Sequence, residues 1–230
     1  IFKQLMDMRQ ELASQYGQTV QDLKPFNPFP DVQIIGQSSA FDYNYQPSAS
    51  TFYIGSYLNY QHAPQSITSE ELKSFITVSD QEEDLPLVYC AFGTLVEIDN
   101  RLATALLAAF SQVKAKVIWA MPKLKRPPVL LQEMPSNVLL MEFAPQLALL
   151  AHERVKLFIT HCGGNSMAEA MAFGKPVLGI PFVGDQPDMA ARAVYRKVGK
   201  KVHPFLATSK EIFAEMNDIL QNEHIYLANA

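Results

Sequence analysis

The chain has 230 residues, of which 48% are hydrophobic and 18% charged, and its formal net charge at pH 7 is −4. This composition is typical of an α/β protein with a sizeable core, and the acidic balance argues against a duplex-binding protein, which would carry a basic face. The longest apolar run, at 102–110, is far shorter than the ~18 residues that indicate a membrane span. Cys90 and Cys162 lie in apolar runs, which predicts reduced, buried thiols rather than a disulfide.

The first 86 residues contain only short, interrupted elements. An amphipathic pattern predicts a helix over residues 1–17, and strands are predicted at 32–36 and 51–58. Residues 59–86 are polar and acidic, with at most one short helix near 70–75. We interpret residues 59–86 as an interdomain linker, although a long surface loop explains the same composition equally well.

From Leu87 the sequence alternates regularly between strands and helices. The predicted strands are 87–92, 116–121, 138–143, 155–161, 176–181 and 200–205. The predicted helices are 99–113, 145–152, 165–173, 186–198 and 209–221. Such alternation predicts an α/β fold in which a parallel sheet is covered by helices on both faces.

The unusual clusters of glycine and polar residues all follow a predicted strand directly. They lie at 93–94, 143–146, 161–166 and 184–186. In an open parallel sheet the loops after the strands emerge at the carboxyl edge, where such folds bind ligands. The sequence fits neither the P-loop pattern, since Pro176 follows Lys175, nor the glycine fingerprint of dinucleotide-binding proteins.

Residues 161–166 form the most informative of these clusters. Gly163 and Gly164 permit close backbone approach, and Asn165 is predicted to cap the following helix, whose N-terminal N–H groups attract anions. Potential side-chain donors to phosphate oxygens are Thr94, His161 and Ser166. The loop is therefore predicted to hold a diphosphate, and a tight turn with an ordinary helix cap is the equally weighted alternative.

Other residues at this edge suit the remainder of a nucleotide sugar. Glu169 lies one helical turn beyond the predicted cap, where a carboxylate can bind the vicinal hydroxyls of a ribose; a solvated glutamate is the alternative. Phe143 offers a face on which a base can stack, unless it is a core residue that ends a strand. Gln146 could bind the edge of that base, and Asp185 with Gln186 could bind sugar hydroxyls, or all three could serve only to begin helices.

Residues 143–186 resemble the donor-binding signature of the UDP-dependent glycosyltransferases of family 1. In plant members this signature reads W-A-P-Q, H, H-C-G-W-N-S-x-x-E, G-x-P, P and D/E-Q over 44 residues. The chain matches its spacing over the same 44 residues without a gap, through Phe143, Ala144, Pro145, Gln146, His152, His161, Cys162, Gly163, Asn165, Ser166, Glu169, Gly174, Pro176, Pro181, Asp185 and Gln186. Residues 88–94 are similar to the segment that opens the family's donor domain.

The resemblance implies a role for each matching position. Phe143 would stack on uracil, while the backbone of Ala144 and the side chain of Gln146 would bind the edge of that base. The residues that would hold the diphosphate are Thr94, His161, Gly163, Asn165 and Ser166. Those that would bind the sugars are Glu169 for the ribose, and Asp185 and Gln186 for the transferred sugar.

The chain departs from the plant signature at two positions. Phe143 replaces a Trp but keeps a stacking face. Gly164 stands where plant members have a second Trp beside the sugar, as in animal-type members. The resemblance therefore leaves the identity of the sugar open, with glucose slightly favoured.

The resemblance also implies a GT-B type fold with a Rossmann-like sheet, and inverting, metal-independent transfer of a hexosyl group. The sequence has no D-x-D motif of metal-dependent transferases, and we expect no metal ion and no cofactor. The family's general base is a histidine near the start of the N-terminal domain, so no catalytic residue is assigned in this chain. Residues 1–58 resemble the tail of that acceptor-binding domain, residues 59–86 the linker, and residues 87–230 a donor domain truncated at its end.

From these features we expect part of a UDP-glycosyltransferase that binds donor and, as an isolated chain, transfers no sugar. The expected partners are a UDP-sugar, a small-molecule or lipid acceptor with a hydroxyl group, and the missing N-terminal half of the same enzyme, but no nucleic acid. Two alternatives stay open: the donor-binding subunit of a split N-acetylglucosaminyltransferase, which residues 1–58 disfavour, and a non-catalytic UDP-sugar-binding module. The sequence does not distinguish a cytoplasmic from a membrane-associated location.

Overall fold

The computed structural model describes residues 33–35, 39–43, 49, 51–53, 66–77 and 84–229. The chain divides into two compact units, one formed by Ile1–Ile35 with Gln46–Phe52 and the other by Gly36–Tyr45 with Tyr53–Ala230. Strands β1 (Gln33–Ile35) and β2 (Thr51–Tyr53) pair into a two-stranded sheet. The helix predicted over residues 1–17 lies outside the described residues.

The second unit alternates strands and helices, as predicted. Its strands are β3 (Leu87–Ala91), β4 (Lys116–Ala120), β5 (Val138–Met141), β6 (Val155–Thr160), β7 (Val177–Gly179) and β8 (Gly199–Lys201). Its α-helices are α1 (Glu70–Ile76), α2 (Asn100–Phe110), α3 (Gln146–Ala151), α4 (Gly164–Ala172), α5 (Gln186–Tyr195), α6 (Ser209–Gln221) and α7 (Glu223–Leu227). In the part of the chain that the structure describes, no helix is both long and apolar enough to cross a membrane.

Most predicted elements from Leu87 onward end one to four residues earlier than expected, and two of them show why. The strand predicted at 200–205 ends at Lys201, because the chain then turns so that the Ala207 N–H donates to the carbonyl of His203. The helix predicted to reach residue 198 ends at Tyr195, and Lys197 beyond it has a φ of 57°, a left-handed conformation in which a helix cannot continue. Helix α7 is not predicted from the sequence.

The large sheet is entirely parallel, and its strands follow the order β5-β4-β3-β6-β7-β8. Counted from β3, this is the 3-2-1-4-5-6 order of a Rossmann-like fold, so the predicted fold class is confirmed. The chain leaves β3 in one direction across the sheet and returns to its other side at β6. The crevice between the carboxyl ends of β3 and β6 is therefore the switch point where such sheets bind ligands.

Side chains alternate along the strands between two cores, one on each face of the sheet. On β3, Val88 and Cys90 pack in the core covered by α2, α6 and α7. Leu87 and Tyr89 pack in the opposite core, covered by α1, α3, α4 and α5. This alternation confirms the prediction that helices cover both faces, because the central strand β3 is buried on both of its sides.

Both cysteines are free and buried, as the sequence predicts. Burial raises the pKa of the Cys90 thiol well above its usual value and that of Cys162 to about 12. Neither thiol is therefore ionised near neutral pH, which is the behaviour of structural rather than reactive cysteines.

Helix α1, within the predicted linker, packs against the sheet. Ser69 caps it by accepting a hydrogen bond of 3.3 Å from the Leu72 N–H, and the Leu72 side chain is fully buried. At the end of the helix, Lys116 Nζ donates to the Phe75 carbonyl at 3.0 Å, and Arg154 donates to that of Ile76. These contacts fix α1 on the core that also contains Tyr89. The domain boundaries at 58 and 86 stay a prediction.

Replacing Leu72 tests whether α1 is an integral part of this core. We expect Leu72→Ala to lower the free energy of unfolding by about 2–5 kcal/mol, the range for truncating a buried leucine. Ser74→Ala, on the exposed side of the same helix, should change it by less than about 0.5 kcal/mol. Urea unfolding followed by circular dichroism measures both, and equal midpoints for the two variants would contradict the packing of α1.

Candidate functional site

Strands β3 and β6 lie side by side, with Ala91 opposite Thr160 at their carboxyl ends. The residues that follow include Gly93 and Thr94 on one side and His161 on the other. Gly93 has a φ of 66°, and Thr94 lies exposed in the turn with its carbonyl accepting a hydrogen bond from Lys125. The structure thus brings two of the predicted clusters to the switch point of the sheet.

The imidazole of His161 is packed between two glycines. A Cβ atom on Gly93 would lie 2.8 Å from Cε1 of the ring, and one on Gly163 would lie 2.5 Å from Nε2. Real Cβ atoms do not approach other heavy atoms so closely, so any larger residue at either position would displace the ring. The two glycines therefore leave the space that the His161 ring occupies.

Burial lowers the pKa of His161, although the nearby carboxylate of Asp185 acts to raise it. The ring is therefore largely neutral at pH 7, with one nitrogen as donor and the other as acceptor. Nδ1 lies 3.4 Å from the Thr160 hydroxyl, whose oxygen accepts the Cys162 N–H at 3.3 Å. Because that hydroxyl is free to donate to Nδ1, we assign the proton to Nε2, the nitrogen beside Gly163.

Cys162 makes the turn between β6 and α4. Its φ of 63° is left-handed, which is uncommon for a residue other than glycine, and its side chain is fully buried. A Cβ atom on Gly179 would lie 2.6 Å from the Cys162 Sγ, so the absence of a side chain on β7 makes the space for this thiol. The packing holds the turn in a strained conformation that directs the following residues toward the crevice.

Helix α4 begins one residue earlier than predicted. Its N-cap is Gly163, and Asn165 is an exposed residue of the first turn, so the prediction that Asn165 caps the helix is wrong. The left-handed Cys162 turns the chain before Asn165 is reached, which leaves a glycine at the cap. A glycine cap has no side chain to accept the N–H groups of the first turn, and these groups attract an anion.

Among the other described helices, α1, α2 and α6 begin with side-chain caps, whereas α3, α5 and α7 do not. Asp99 accepts the N–H of Leu102 at 2.7 Å at the start of α2, and Thr208 accepts that of Glu211 at 3.2 Å at the start of α6. Among the described helices, α4 is the one whose N-cap is a glycine, and it begins at the switch point.

A second group of polar side chains joins α3 to α4. Gln146 donates from Nε2 to the Glu169 carboxylate at 2.5 Å and to the Ser166 hydroxyl at 3.4 Å. Its Oε1 accepts from the hydroxyl of Tyr89 at 3.2 Å. Glu169 is thus half-buried and hydrogen-bonded rather than solvated, and it lies on the same face of α4 as Ser166.

Phe143 is 72% exposed, which excludes the alternative that it is a core residue, whereas Ala144 beside it is buried. The Phe143 ring lines a surface cavity of about 380 Å³, whose other lining residues are Ser66, Thr68, Ser69, Met141 and Pro145. The sequence does not predict that the three hydroxyl residues preceding α1 share a cavity with Phe143. They lie in a polar stretch with no local pattern that separates them from a linker.

Asp185 and Gln186, at the start of α5, face in different directions. The Gln186 side chain is buried, and its Oε1 accepts the N–H groups of Phe182 at 2.8 Å and Val183 at 3.1 Å. The carboxylate of Asp185 lies over the start of α4, where a Cβ atom on Gly164 would be 3.6 Å from Oδ2. Asp185 therefore faces the crevice, while the amide oxygen of Gln186 holds the loop in front of α5.

His152, which also matches the signature, ends α3 and supports the fold. Its carbonyl accepts from the buried Lys175 Nζ at 3.0 Å, and its Nδ1 accepts the Arg154 N–H at 3.2 Å. Burial lowers the pKa of both His152 and Lys175. Among the described residues, no group of three or more His, Cys, Asp and Glu side chains could hold a metal ion.

Comparison with known proteins agrees with this geometry. The model of the family described as UDP-glucoronosyl and UDP-glucosyl transferase matches residues 1–230. The chain belongs to this family. Among relatives, it is 29% identical to mouse UDP-glucuronosyltransferase 3A1 over 225 residues, covering 90% of this chain and 42% of that protein. It is 34% identical to UDP-glycosyltransferase UGT4 of Dactylopius coccus over 146 residues, covering 63% of this chain and 28% of that protein.

Solved structures show the same fold. Os79 from O. sativa in complex with UDP has a TM-score of 0.61 and 22% identity, covering 70% of this chain and 37% of that one. The glycotransferase of kitacinnamycin has a TM-score of 0.57 and 19% identity, covering 62% of this chain and 37% of that one. The predicted family membership and GT-B type fold of this chain are therefore confirmed. The chain spans less than half the length of these relatives.

The charge near His161 gives a first test of the site. Because the Asp185 carboxylate raises the pKa of the imidazole, Asp185→Asn should lower that pKa further. The His161 ring resonances, followed by NMR against pH, report this value, and Glu211→Gln, which changes an exposed carboxylate on α6, is the control. An unchanged or raised pKa in Asp185→Asn would show that Asp185 does not face the ring.

Proposed function

We propose that this chain carries the UDP-sugar site of an inverting, metal-independent UDP-glycosyltransferase that transfers a hexosyl group to a hydroxyl acceptor. The observation that carries the proposal is the arrangement at the switch point. There, the neutral imidazole of His161 and the glycine-capped start of α4 converge on one crevice. Family membership supports the same reading.

The diphosphate of the donor fits this arrangement of donors. The Nε2–H of His161 and the first-turn N–H groups of α4 are close to one another, because Gly163 contacts the ring and also caps the helix. With Thr94, Asn165 and Ser166 they supply hydrogen bonds to phosphate oxygens. In the transition state, negative charge grows on the departing diphosphate, and donors already fixed in place stabilise that charge without reorganising.

The remaining predicted residues suit the other parts of the donor. The exposed ring of Phe143 beside the buried Ala144 offers a stacking surface for uracil. Glu169, held by Gln146, presents a carboxylate that can accept both ribose hydroxyls. Asp185 faces the crevice where the sugar would follow the diphosphate, and Gln186 contributes by fixing the loop that precedes it.

The family match does not favour the two alternative functions. One family model covers residues 1–230, which includes the segment 1–58 that a separate donor-binding subunit would not need. A non-catalytic binding module would bind the same donor, so binding alone does not separate it from a transferase. Sugar transfer by the longer enzyme is the discriminating property.

Binding of UDP tests the proposal directly. At a concentration about 100 times its dissociation constant, UDP should stabilise the chain against unfolding by about 2.7 kcal/mol, with or without EDTA. Gly163→Ala should weaken binding because its Cβ atom displaces the His161 ring. If the glycine acts through that ring, adding Gly163→Ala to His161→Ala should cause no further loss. A melting temperature of the wild-type chain that UDP leaves unchanged would refute the proposal.

Replacing Glu169 separates ribose binding from a structural role. Glu169→Gln should weaken UDP binding by about 1–3 kcal/mol, the range for a lost charged hydrogen bond, and should do so less for 2′-deoxy-UDP. Glu211→Gln, an exposed glutamate on α6, is the matched control and should leave the affinity unchanged. Calorimetry that finds equal losses for UDP and its deoxy analogue would assign Glu169 to structure alone.

We expect the 230-residue chain to bind donor without transferring its sugar to an acceptor. Transfer requires a base beside the acceptor hydroxyl, and on this reading His161 donates a hydrogen bond to phosphate. Activity should appear when the chain is extended with the N-terminal half of a family member, and replacing that half's histidine base should abolish it while UDP still binds. Glycosyl transfer by the purified chain alone would contradict this assignment.

A further inference from the structure

Away from the crevice at the switch point, a dense cluster of polar side chains joins the segment 39–43 to helix α5. At its centre is Asp42, whose carboxylate is buried. Its Oδ1 pairs with Arg192 and accepts the Tyr43 N–H at 2.8 Å, and its Oδ2 accepts the Tyr53 hydroxyl at 2.5 Å. The Asp42 carbonyl accepts a hydrogen bond from Arg196 at the end of α5.

The cluster continues toward the start of α5 through Tyr43. The Tyr43 hydroxyl donates to Asp188 Oδ1 at 3.1 Å, and Arg192 Nε contacts the other oxygen of the same carboxylate at 2.8 Å. The Arg192 guanidinium lies 5.0 Å from the centre of the Tyr43 ring, which also meets Tyr195 edge-on at 5.3 Å. Residues 42–43 thus contact every turn of α5, including the first.

The first turn of α5 is where the helix meets the crevice. Asp188 lies two residues after Gln186 and three after Asp185. Because a helix moves as a rigid element, a tilt or slide of α5 would shift Asp185 relative to the start of α4. A buried carboxylate retained among several partners is suited to fixing one orientation, since its ion pair is lost if the partners separate.

We infer that Asp42 and Arg192 are positioning residues for the donor sugar: they fix α5 so that Asp185 is placed to recognise that sugar. This inference rests on the proposed function, because it assigns to Asp185 a contact with the sugar. It makes the segment 39–43, which precedes the predicted linker, part of the apparatus that discriminates between UDP-sugars. The proposed binding of the diphosphate by His161 and the start of α4 does not depend on Asp42 or Arg192.

Conservative variants test this without exposing a buried charge. Arg192→Lys keeps the charge but cannot contact Asp42 and Asp188 together as the planar guanidinium does, and Tyr43→Phe removes only the hydroxyl that holds Asp188. Tyr195→Phe, which keeps its ring contact on the same helix, is the control. Dissociation constants for UDP, UDP-glucose, UDP-galactose and UDP-glucuronic acid are measured by calorimetry, and folding is checked by thermal unfolding.

We expect the wild-type chain and Tyr195→Phe to discriminate among the three UDP-sugars. In Arg192→Lys this discrimination should fall by about tenfold, which corresponds to about 1.4 kcal/mol, while UDP affinity stays within about twofold. Tyr43→Phe should show a smaller loss of the same kind. Unchanged discrimination in both variants, equal weakening of all four ligands, or a wild-type chain that does not discriminate would overturn the inference. Failure of the wild-type chain to bind UDP would instead refute the proposed function.

Discussion

The contact of the His161 ring with Gly93 and Gly163 constrains the rest of the site. These three residues follow the adjacent strands β3 and β6, so the order of the sheet brings them together. The ring can occupy this position only if neither neighbour has a Cβ atom. Since Gly163 also caps α4, one glycine sets both the place of the imidazole and the place where the helix N–H groups become accessible.

The strained turn at Cys162 lies between His161 and Gly163 and therefore belongs to the same arrangement. A left-handed residue other than glycine costs of order 1–2 kcal/mol, so the conformation persists only because its surroundings stabilise it. The buried thiol fills the space that Gly179 leaves on β7, and the Thr160 hydroxyl accepts the Cys162 N–H. The same hydroxyl lies beside the His161 ring, so the turn and the tautomer of the histidine are linked through one oxygen.

The sequence predicted the sheet, its helices and the edge where polar residues converge, because these depend on local periodicity and on the rule that parallel strands end at one edge. It failed at the start of α4, because cap preference favours Asn165 and nothing local reveals that Cys162 is left-handed. The packing of α1 was obscured by the polar residues around Leu72. The pairing of Asp42 with Arg192 joins positions 150 residues apart, and no pattern within either segment indicates it.

The charges around His161 explain why a neutral imidazole is suitable in the proposed diphosphate site. The carboxylates of Glu169 and Asp185 lie near the position proposed for the diphosphate and would repel it there, so hydrogen-bond donors must offset both that repulsion and the loss of water from the phosphates. In the proposed site a neutral His161 supplies one such donor without the cost of holding a positive charge in a partly buried position. Burial favours the neutral ring, so on the proposed function its N–H would act as a directed dipole whose contribution grows as charge develops on the leaving oxygen.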